Sequence, residues 1–361
     1  METIYQQRQK RVLARLGEDV EGLLVLGVAN VRYLTGFTGD STWLLLSREK
    51  TIALSDKRYA WQLADECPDV ETRIRPVGKQ LLDWAVEVIE QLGWRCLAYP
   101  SDRLSVADWE RLREALPQVR WVAVKGLVED ERARKDAGEI AELRHAITVA
   151  ERALTRWLAT VRPEDTEKQL ADRLEMLLRE EGADCASFPV IVAADAHAAH
   201  PHARPRRRPV GQCELLLVDW GADCGYKSDL TRVFAGRTIS ARLMNAYDAV
   251  RYALEQTLAH VRPGVKAETL HAVALQALQQ AAVGDHFLHS TGHGLGLEVH
   301  ENPILRPGNE QELQPGMVLT IEPGIYFRDW GGVRLEEDVL VTANGYELLS
   351  RFPQDLHCLW A

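Results

Sequence analysis

Apolar side chains return at helical spacing over residues 5–17, and two apolar runs at 23–27 and 42–46 follow as strands. Gly36, Gly39 and Asp40 mark the turn between those strands. Helical periodicity reappears at 58–66 and 80–92, with short strands near 96–99 and 120–124. Such alternation predicts a small α/β domain. The charged run from Glu129 to Asp136 reads as a solvated connector, which places one domain at 1–128 and a second at 129–361. Amphipathic helices are expected at 139–160 and 166–181, separated by Arg162-Pro163-Glu164-Asp165. Strand-like runs then dominate, at 187–193, 214–220, 226–234, 316–327 and 332–342, with helices at 241–260 and 267–281. This pattern predicts an α+β second domain built on an antiparallel sheet.

A length of 361 residues suits two domains, and 46% hydrophobic residues argue against disorder. The formal charge of −10 offers no net positive field for nucleic acid. Cys67, Cys96, Cys185, Cys213, Cys224 and Cys358 form no CxxC pair, so a reduced, cytoplasmic protein is expected. The N-terminus lacks the apolar stretch of a secretory signal, and no apolar run approaches the ~20 residues of a membrane span.

The most informative segment runs from Leu215 to Arg232. Asp219 ends a strongly apolar strand, and Gly225 suits a three-residue turn made of Asp223, Cys224 and Gly225. In that register Asp219 faces Asp229 directly, with β-carbons ~5 Å apart. Two such acids either cap the loop toward solvent, share a proton or hold a metal. A second segment, His289 to Pro303, places His289, His293 and His300 within twelve residues among glycines that admit close backbone approach. Third and fourth segments set Glu322 and Glu336 in apolar strands that read as a hairpin turning at 328–331. Buried carboxylates need a partner. Arg334 supplies one for a single acid and leaves the other acids and the histidines unexplained. Asp, Asp, His, Glu and Glu together neutralise two divalent cations, and oxygen-rich ligation favours manganese, cobalt or iron over a thiolate-type zinc site. Two ions ~3.5–4 Å apart bind a bridging hydroxide and polarise a carbonyl under attack.

These four segments, in this order, resemble the pita-bread metallopeptidases: aminopeptidase P, prolidase and methionine aminopeptidase. Asn30-Val31-Arg32-Tyr33-Leu34-Thr35-Gly36-Phe37-Thr38-Gly39 resembles the opening of the creatinase-type N-terminal domain, and Asp56-Lys57-Arg58-Tyr59 its later turn. The resemblance therefore points to the proline-specific branch and to a pita-bread second domain with a curved antiparallel sheet. It implies hydrolysis of an N-terminal Xaa-Pro bond in peptides, with prolidase action on dipeptides as the alternative. It also implies two divalent ions, manganese first, with cobalt, iron or zinc as alternatives, and a homodimer or homotetramer. By the same resemblance, Asp219 chelates one ion, Asp229 and Glu336 bridge the pair, and His293 and Glu322 bind the second. Glu322 also serves as general base, His300 stabilises the tetrahedral intermediate, His289 lines the proline pocket, and His202 places the substrate or moves protons. His197 and His200 read as surface residues, and Arg206-Arg207-Arg208 as a solvated loop.

The chain departs from the family pattern twice. The Asp219–Asp229 spacing is one residue short, which a tight hairpin turn accommodates. Ile304 stands where many prolidases carry an arginine for the free carboxylate of a dipeptide, which leans against strict dipeptide use and leaves Arg306 or Arg334 for that task. Two further readings are a metal-free creatinase-like amidinohydrolase and a catalytically dead binding module. Both typically lose ligands that this chain retains.

Overall fold

The computed structural model describes residues 2–360, which divide into two compact units, one ending at Arg132 and the other starting at Ala133. The first unit contains α1 (Ile4–Ala14), β1 (Gly22–Val25), α2 (Val28–Thr35), β2 (Trp43–Leu46), β3 (Thr51–Ser55), α3 (Ala60–Glu66), β4 (Glu71–Ile74), α4 (Leu81–Leu92), β5 (Cys96–Pro100), α5 (Val106–Ala115) and β6 (Arg120–Val124). Its six strands form one mixed sheet in the order β4-β3-β2-β1-β5-β6. The β1–β2 and β2–β3 pairs are antiparallel and the other three are parallel. A reciprocal Thr3–Gln6 cap starts α1.

Two expectations change here. The stretch before Gly36, expected as a turn, is helix α2. Gly36 stops it in the left-handed region at φ +83°, returning its N–H to the Arg32 carbonyl. The charged run is not a solvated connector. It is largely helix α6 (Leu127–Ala133), whose acids find cations in the first unit: Glu129 pairs with Arg103, Asp130 with Arg15 and Glu131 with Arg11.

The second unit begins with α7 (Ala137–Leu158) and α8 (Glu167–Glu180). Reciprocal caps start both helices, Asp136 with Glu139 and Thr166 with Gln169. The chain continues through β7 (Cys185–Ala186), β8 (Ile191–Ala194), β9 (Leu215–Trp220), β10 (Ala222–Asp223), β11 (Leu230–Ala235), α9 (Ala241–His260) and α10 (Ala267–Gln280). It closes with β12 (Val318–Ile321), β13 (Gly324–Phe327), β14 (Gly331–Arg334), β15 (Glu337–Val341) and β16 (Tyr346–Leu348). Every strand pairing in this unit is antiparallel.

Strand alternation explains why β9 reads as a continuous apolar run. Leu216, Val218 and Trp220 pack against α7 and α8, whereas Leu215 and Leu217 join the core under α9 and α10. Both faces are covered, so no position in β9 is free to be polar without a reason. Asp219 continues the face of Leu215 and Leu217. On β11, Thr231, Val233 and Ala235 have the same parity, with Asp229 just ahead of the strand.

Candidate metal centre

Two hairpins and one glycine-rich segment build the site. In the first hairpin, Asp219 pairs with Thr231 and not with Asp229. The turn is Cys224-Gly225-Tyr226, one position later than expected. Gly225 takes φ +91°, and Asp223 stands opposite Lys227. The register is thus two residues away from the expected one. A β-carbon on Gly221 would lie 1.9 Å from the Ser228 carbonyl oxygen, so the backbones close together where the shorter spacing is absorbed. A shift of two keeps every side chain on its face, whereas a shift of one would have put the two acids on opposite faces of the sheet. Asp219 and Asp229 become diagonal neighbours, with Thr231 beside them.

The second hairpin follows the expected plan. The β12–β15 and β13–β14 ladders share one register, which sets Glu322 opposite Glu336. The segment 291–295 runs along β12: Thr320 and Glu322 donate their N–H groups to the carbonyls of His293 and Thr291, and Leu295 donates to Val318. A β-carbon at Gly292 would meet the Thr320 carbonyl oxygen at 1.9 Å, so glycine is what lets His293 reach the strand bearing Glu322.

The side chains converge. Single ligand atoms of Asp229, His293 and Glu336 all lie within 4.8 Å of one another, and all three residues are buried. His293 Nε2 is 3.7 Å from Asp229 Oδ2 and 3.5 Å from Glu322 Oε1. Its Nδ1 faces the Gly294 carbonyl at 3.1 Å. A carbonyl only accepts, so Nδ1 carries the proton and the Nε2 lone pair points at the acids. On the other side Asp219 Oδ2 accepts from Arg334, while Asp219 Oδ1 is buried without a hydrogen bond. Arg334 is fully engaged, its Nη1 donating to Tyr326 Oη (2.8 Å) and its Nε to Thr231 Oγ1 (3.1 Å). Tyr326 Oη passes the chain on to His289 Nε2 at 2.8 Å, and His289 Nδ1 meets the Ser290 carbonyl at 2.6 Å.

Burial dominates the electrostatics. It raises the Glu322 carboxyl to about 8, with Arg334 opposing. Asp229 and Glu336 rise well above the carboxylate range because they are buried and crowded by the other acids. Burial also lowers His293 to about 3, helped by the nearby His300. Two like charges ~4 Å apart repel by ~4 kcal/mol at an effective dielectric of ~20. Beyond what Arg334 neutralises, this cluster is therefore held together by protons unless cations replace them.

Every candidate residue, His202 and His300 included, lines one cavity of about 470 Å³. The fold agrees with the sequence comparison. The profile of Metallopeptidase family M24 matches residues 141–343, and that of the Creatinase/Prolidase N-terminal domain matches residues 8–134. The chain belongs to metallopeptidase family M24. It is 33% identical to the uncharacterized peptidase YqhT of Bacillus subtilis over 351 residues, which is 97% of this chain and 98% of that protein. The Xaa-Pro dipeptidase from Bacillus anthracis superposes with TM-score 0.92 at 30% identity, covering 98% of this chain and 99% of that one. The X-Pro aminopeptidase from Thermotoga maritima MSB8 gives TM-score 0.87 at 30% identity, covering 97% and 99%.

As an M24 metallopeptidase the chain is a hydrolase with an α/β creatinase-type N-terminal domain and a pita-bread second domain. The family implies a divalent metal, and this donor set fits one. The cavity offers four carboxylates and one imidazole whose lone pair is already aimed; among the described residues Asp229, His293 and Glu336 form the tight cluster, Asp219 and Glu322 line the cavity beside it, and one Asp219 oxygen still lacks a partner.

Sequence reasoning missed several participants. Tyr326 and Thr231 lie inside segments already singled out but carry no distinguishing pattern. Arg334 pairs with Asp219, not with a glutamate. His197 is not a free surface residue, since its Nδ1 lies 2.8 Å from the buried Glu167. His200 and the run Arg206-Arg207-Arg208 are exposed as expected, although Arg206 also pairs with the buried Glu167. Of the two arginines expected to serve a substrate carboxylate, Arg306 does not line the cavity and Arg334 is spent on Asp219.

Proposed function

We propose that this M24 metallopeptidase hydrolyses the bond between an N-terminal residue and a following proline, using two divalent cations held by Asp219, Asp229, His293, Glu322 and Glu336. The observation that carries the reading is the approach of the Asp229, His293 and Glu336 donor atoms within 4.8 Å, with Glu322 beside His293 in the same cavity. When bound, the cations supply Lewis acidity toward the scissile carbonyl and bring the ionisation of water into the neutral range. Manganese is the first choice for so oxygen-rich a set.

The chain's own residues supply the rest. Glu322, whose Oε1 lies 3.5 Å from His293 Nε2 in the same cavity, takes the proton from the attacking water on a side-chain oxygen. His300, its ring centroid 4.3 Å from that of His293, faces the developing oxyanion and stabilises it. His289 is fixed by Tyr326 and Ser290 and presents its ring to the leaving residue, and His202, which lines the same cavity, places the substrate or moves protons. Phe188, Ile191 and Val299 add an apolar wall suited to a pyrrolidine ring, which brings no N–H needing an acceptor. The similar structures from Bacillus anthracis and Thermotoga maritima are an Xaa-Pro dipeptidase and an X-Pro aminopeptidase, which supports the same substrate class.

The test strips the protein with a chelator, restores manganese, and compares Ala-Pro, Ala-Pro-Ala and Ala-Ala. Activity on the proline peptides only after manganese is expected. Preference for Ala-Ala, or full activity without metal, would sink the reading. Elemental analysis near zero ions per chain would favour the binding module, and creatine hydrolysis by stripped protein would favour the amidinohydrolase. Six unpaired cysteines support a reducing, cytoplasmic setting. Assembly as a homodimer or homotetramer belongs to the same reading and is checked by sedimentation.

A further inference from the structure

The loop 201–209 carries four arginines, and they differ in kind. Arg206 is committed. Glu167, fully buried at the start of α8, accepts from Arg206 Nη2 (3.0 Å), Arg206 Nε (3.2 Å) and the Arg206 backbone N–H (2.8 Å). The same carboxylate takes the Ala194 N–H at 3.0 Å and faces His197 Nδ1 at 2.8 Å. Backbone N–H groups of Glu167 and Lys168 donate in turn to the carbonyls of Arg208 and Arg206. One end of the loop is thereby fastened to α8. At the other end the Pro201 carbonyl accepts from Arg334 Nη1 (3.4 Å), and Ala203, 5% exposed, is pegged into the core.

Between these anchors His202-Ala203-Arg204-Pro205 forms part of the cavity wall. Pro205 restricts Arg204 to extended backbone, which stiffens the position further. Arg204 itself is exposed and has no acidic partner and no hydrogen bond among the described residues. It is the cavity's one uncommitted guanidinium, since Arg334 is occupied by Asp219, Tyr326 and Thr231. The cavity thus holds clustered acids and, unpaired with them, one free cation. A short peptide carries the complementary pair, an amine before the scissile bond and a carboxylate after it.

We propose that Arg204 is the anion anchor of this site, binding a carboxylate carried by the substrate on the proline side of the cut, and that Glu167 positions it through Arg206. The proposal rests on the Xaa-Pro reading above. A guanidinium and a carboxylate meet through two parallel hydrogen bonds, which gives direction as well as affinity. The carboxylate is either the free terminus of a dipeptide or an acidic side chain in a longer peptide.

Manganese-loaded wild type, Arg204→Met and Arg204→Lys are compared on Ala-Pro and Ala-Pro-amide, and on Ala-Pro-Asp-amide and Ala-Pro-Asn-amide. In Arg204→Met the loss in kcat/KM on the charged member of a pair should exceed that on its neutral partner by about tenfold or more, mainly through KM, as expected for a charge-assisted bond. Arg204→Lys should recover part of that difference. Discrimination in the first pair assigns a free terminus, and discrimination only in the second assigns a side chain. Either supports the anchor. Equal losses on charged and neutral members, or no loss, overturn it. Glu167→Gln should shrink the same charged-to-neutral ratio, an effect that mere loss of folded protein does not produce. An unchanged ratio in folded Glu167→Gln removes the positioning role. If wild type cleaves none of these peptides, the Xaa-Pro reading fails first, and the anchor with it.

Discussion

The two hairpins of the metal centre solve the same problem in different ways. Each holds two acids on a buried face. In the β9–β11 hairpin the acids are diagonal, a threonine fills the place opposite Asp219, and Arg334 neutralises Asp219. In the β12–β15 hairpin the acids stand directly opposed, and among the described residues no arginine forms an ion pair with Glu322 or Glu336. The first hairpin is already part-compensated by protein. The second depends on protons or on metal. Activity and metal retention should therefore be most sensitive at Glu322, Glu336 and the Asp229 that faces them, and less so at the arginine-backed Asp219.

The sharpest way to break that comparison is Glu322→Gln. The amide keeps the shape but loses both the ligand charge and the base. Turnover should fall by ~10³-fold or more with the thermal transition retained, because a positioned base alone is worth ~10²–10⁴. Near wild-type rates would show that proton transfer lies elsewhere. His300→Ala should lower kcat by ~10²-fold with little change in bound metal, as expected for loss of one oxyanion donor. A change confined to KM would instead make His300 a binding residue. Asp229→Asn should release metal on dialysis while Asp219→Asn retains more. Equal retention by the two variants would erase the distinction between the hairpins.

The pH dependence of the stripped protein sharpens the comparison at smaller scale. Glu322 titrates near 8 when folded, against an ordinary 4.5. A carboxyl raised in this way stabilises the fold fully below its unfolded value, and the contribution fades as pH rises toward 8. Asp229 and Glu336 act in the same direction. Metal-free protein should thus lose about 1 kcal/mol or more per pH unit between about 6.5 and 8, above the range in which the buried neutral His289 and His293 act in the opposite direction. Manganese should restore the melting temperature more at pH 8 than at pH 5.5, and Glu322→Gln should flatten the stripped protein's slope. Rising stability over that window in stripped wild type would contradict the buried, proton-held cluster.

How much of this was legible in the chain depends on the range over which each feature is decided. The second hairpin was readable because its turn lies midway between two acids in long apolar strands, so one register satisfies every position. The first was misjudged by two residues because Gly225 suits several places in a short turn, and the choice is made at Gly221, where backbone meets backbone. The acids kept their common face because a strand alternates every second residue. Helix α2 was hidden because Gly36 signals a stop for a turn and for a helix alike. Glu167 was invisible for a different reason. In sequence it is an ordinary first-turn acid, and its role arises only when a loop some 39 positions later folds over it.

Thr231 carries the smallest effect and the most direct test of whether the hairpins act as one unit. Its hydroxyl donates to Glu336 Oε2 at 2.7 Å and accepts from Arg334 Nε at 3.1 Å, so one oxygen on β11 touches an acid and a base of the other hairpin. Valine fills the same space. The cost of Thr231→Val is then electrostatic: a carboxylate oxygen and a guanidinium N–H lose a partner in a place closed to water. Leaving such groups unpaired costs ~1–3 kcal/mol. Part of that cost should appear as a lower melting temperature without metal, and part as weaker manganese retention, since Glu336 loses the bond that holds its carboxylate toward Asp229. Thr231→Ser restores the oxygen and should recover retention even where the missing methyl leaves some instability. Wild-type retention in folded Thr231→Val would mean that the hairpins hold their acids independently, and that Arg334 alone sets the geometry on the Asp219 side.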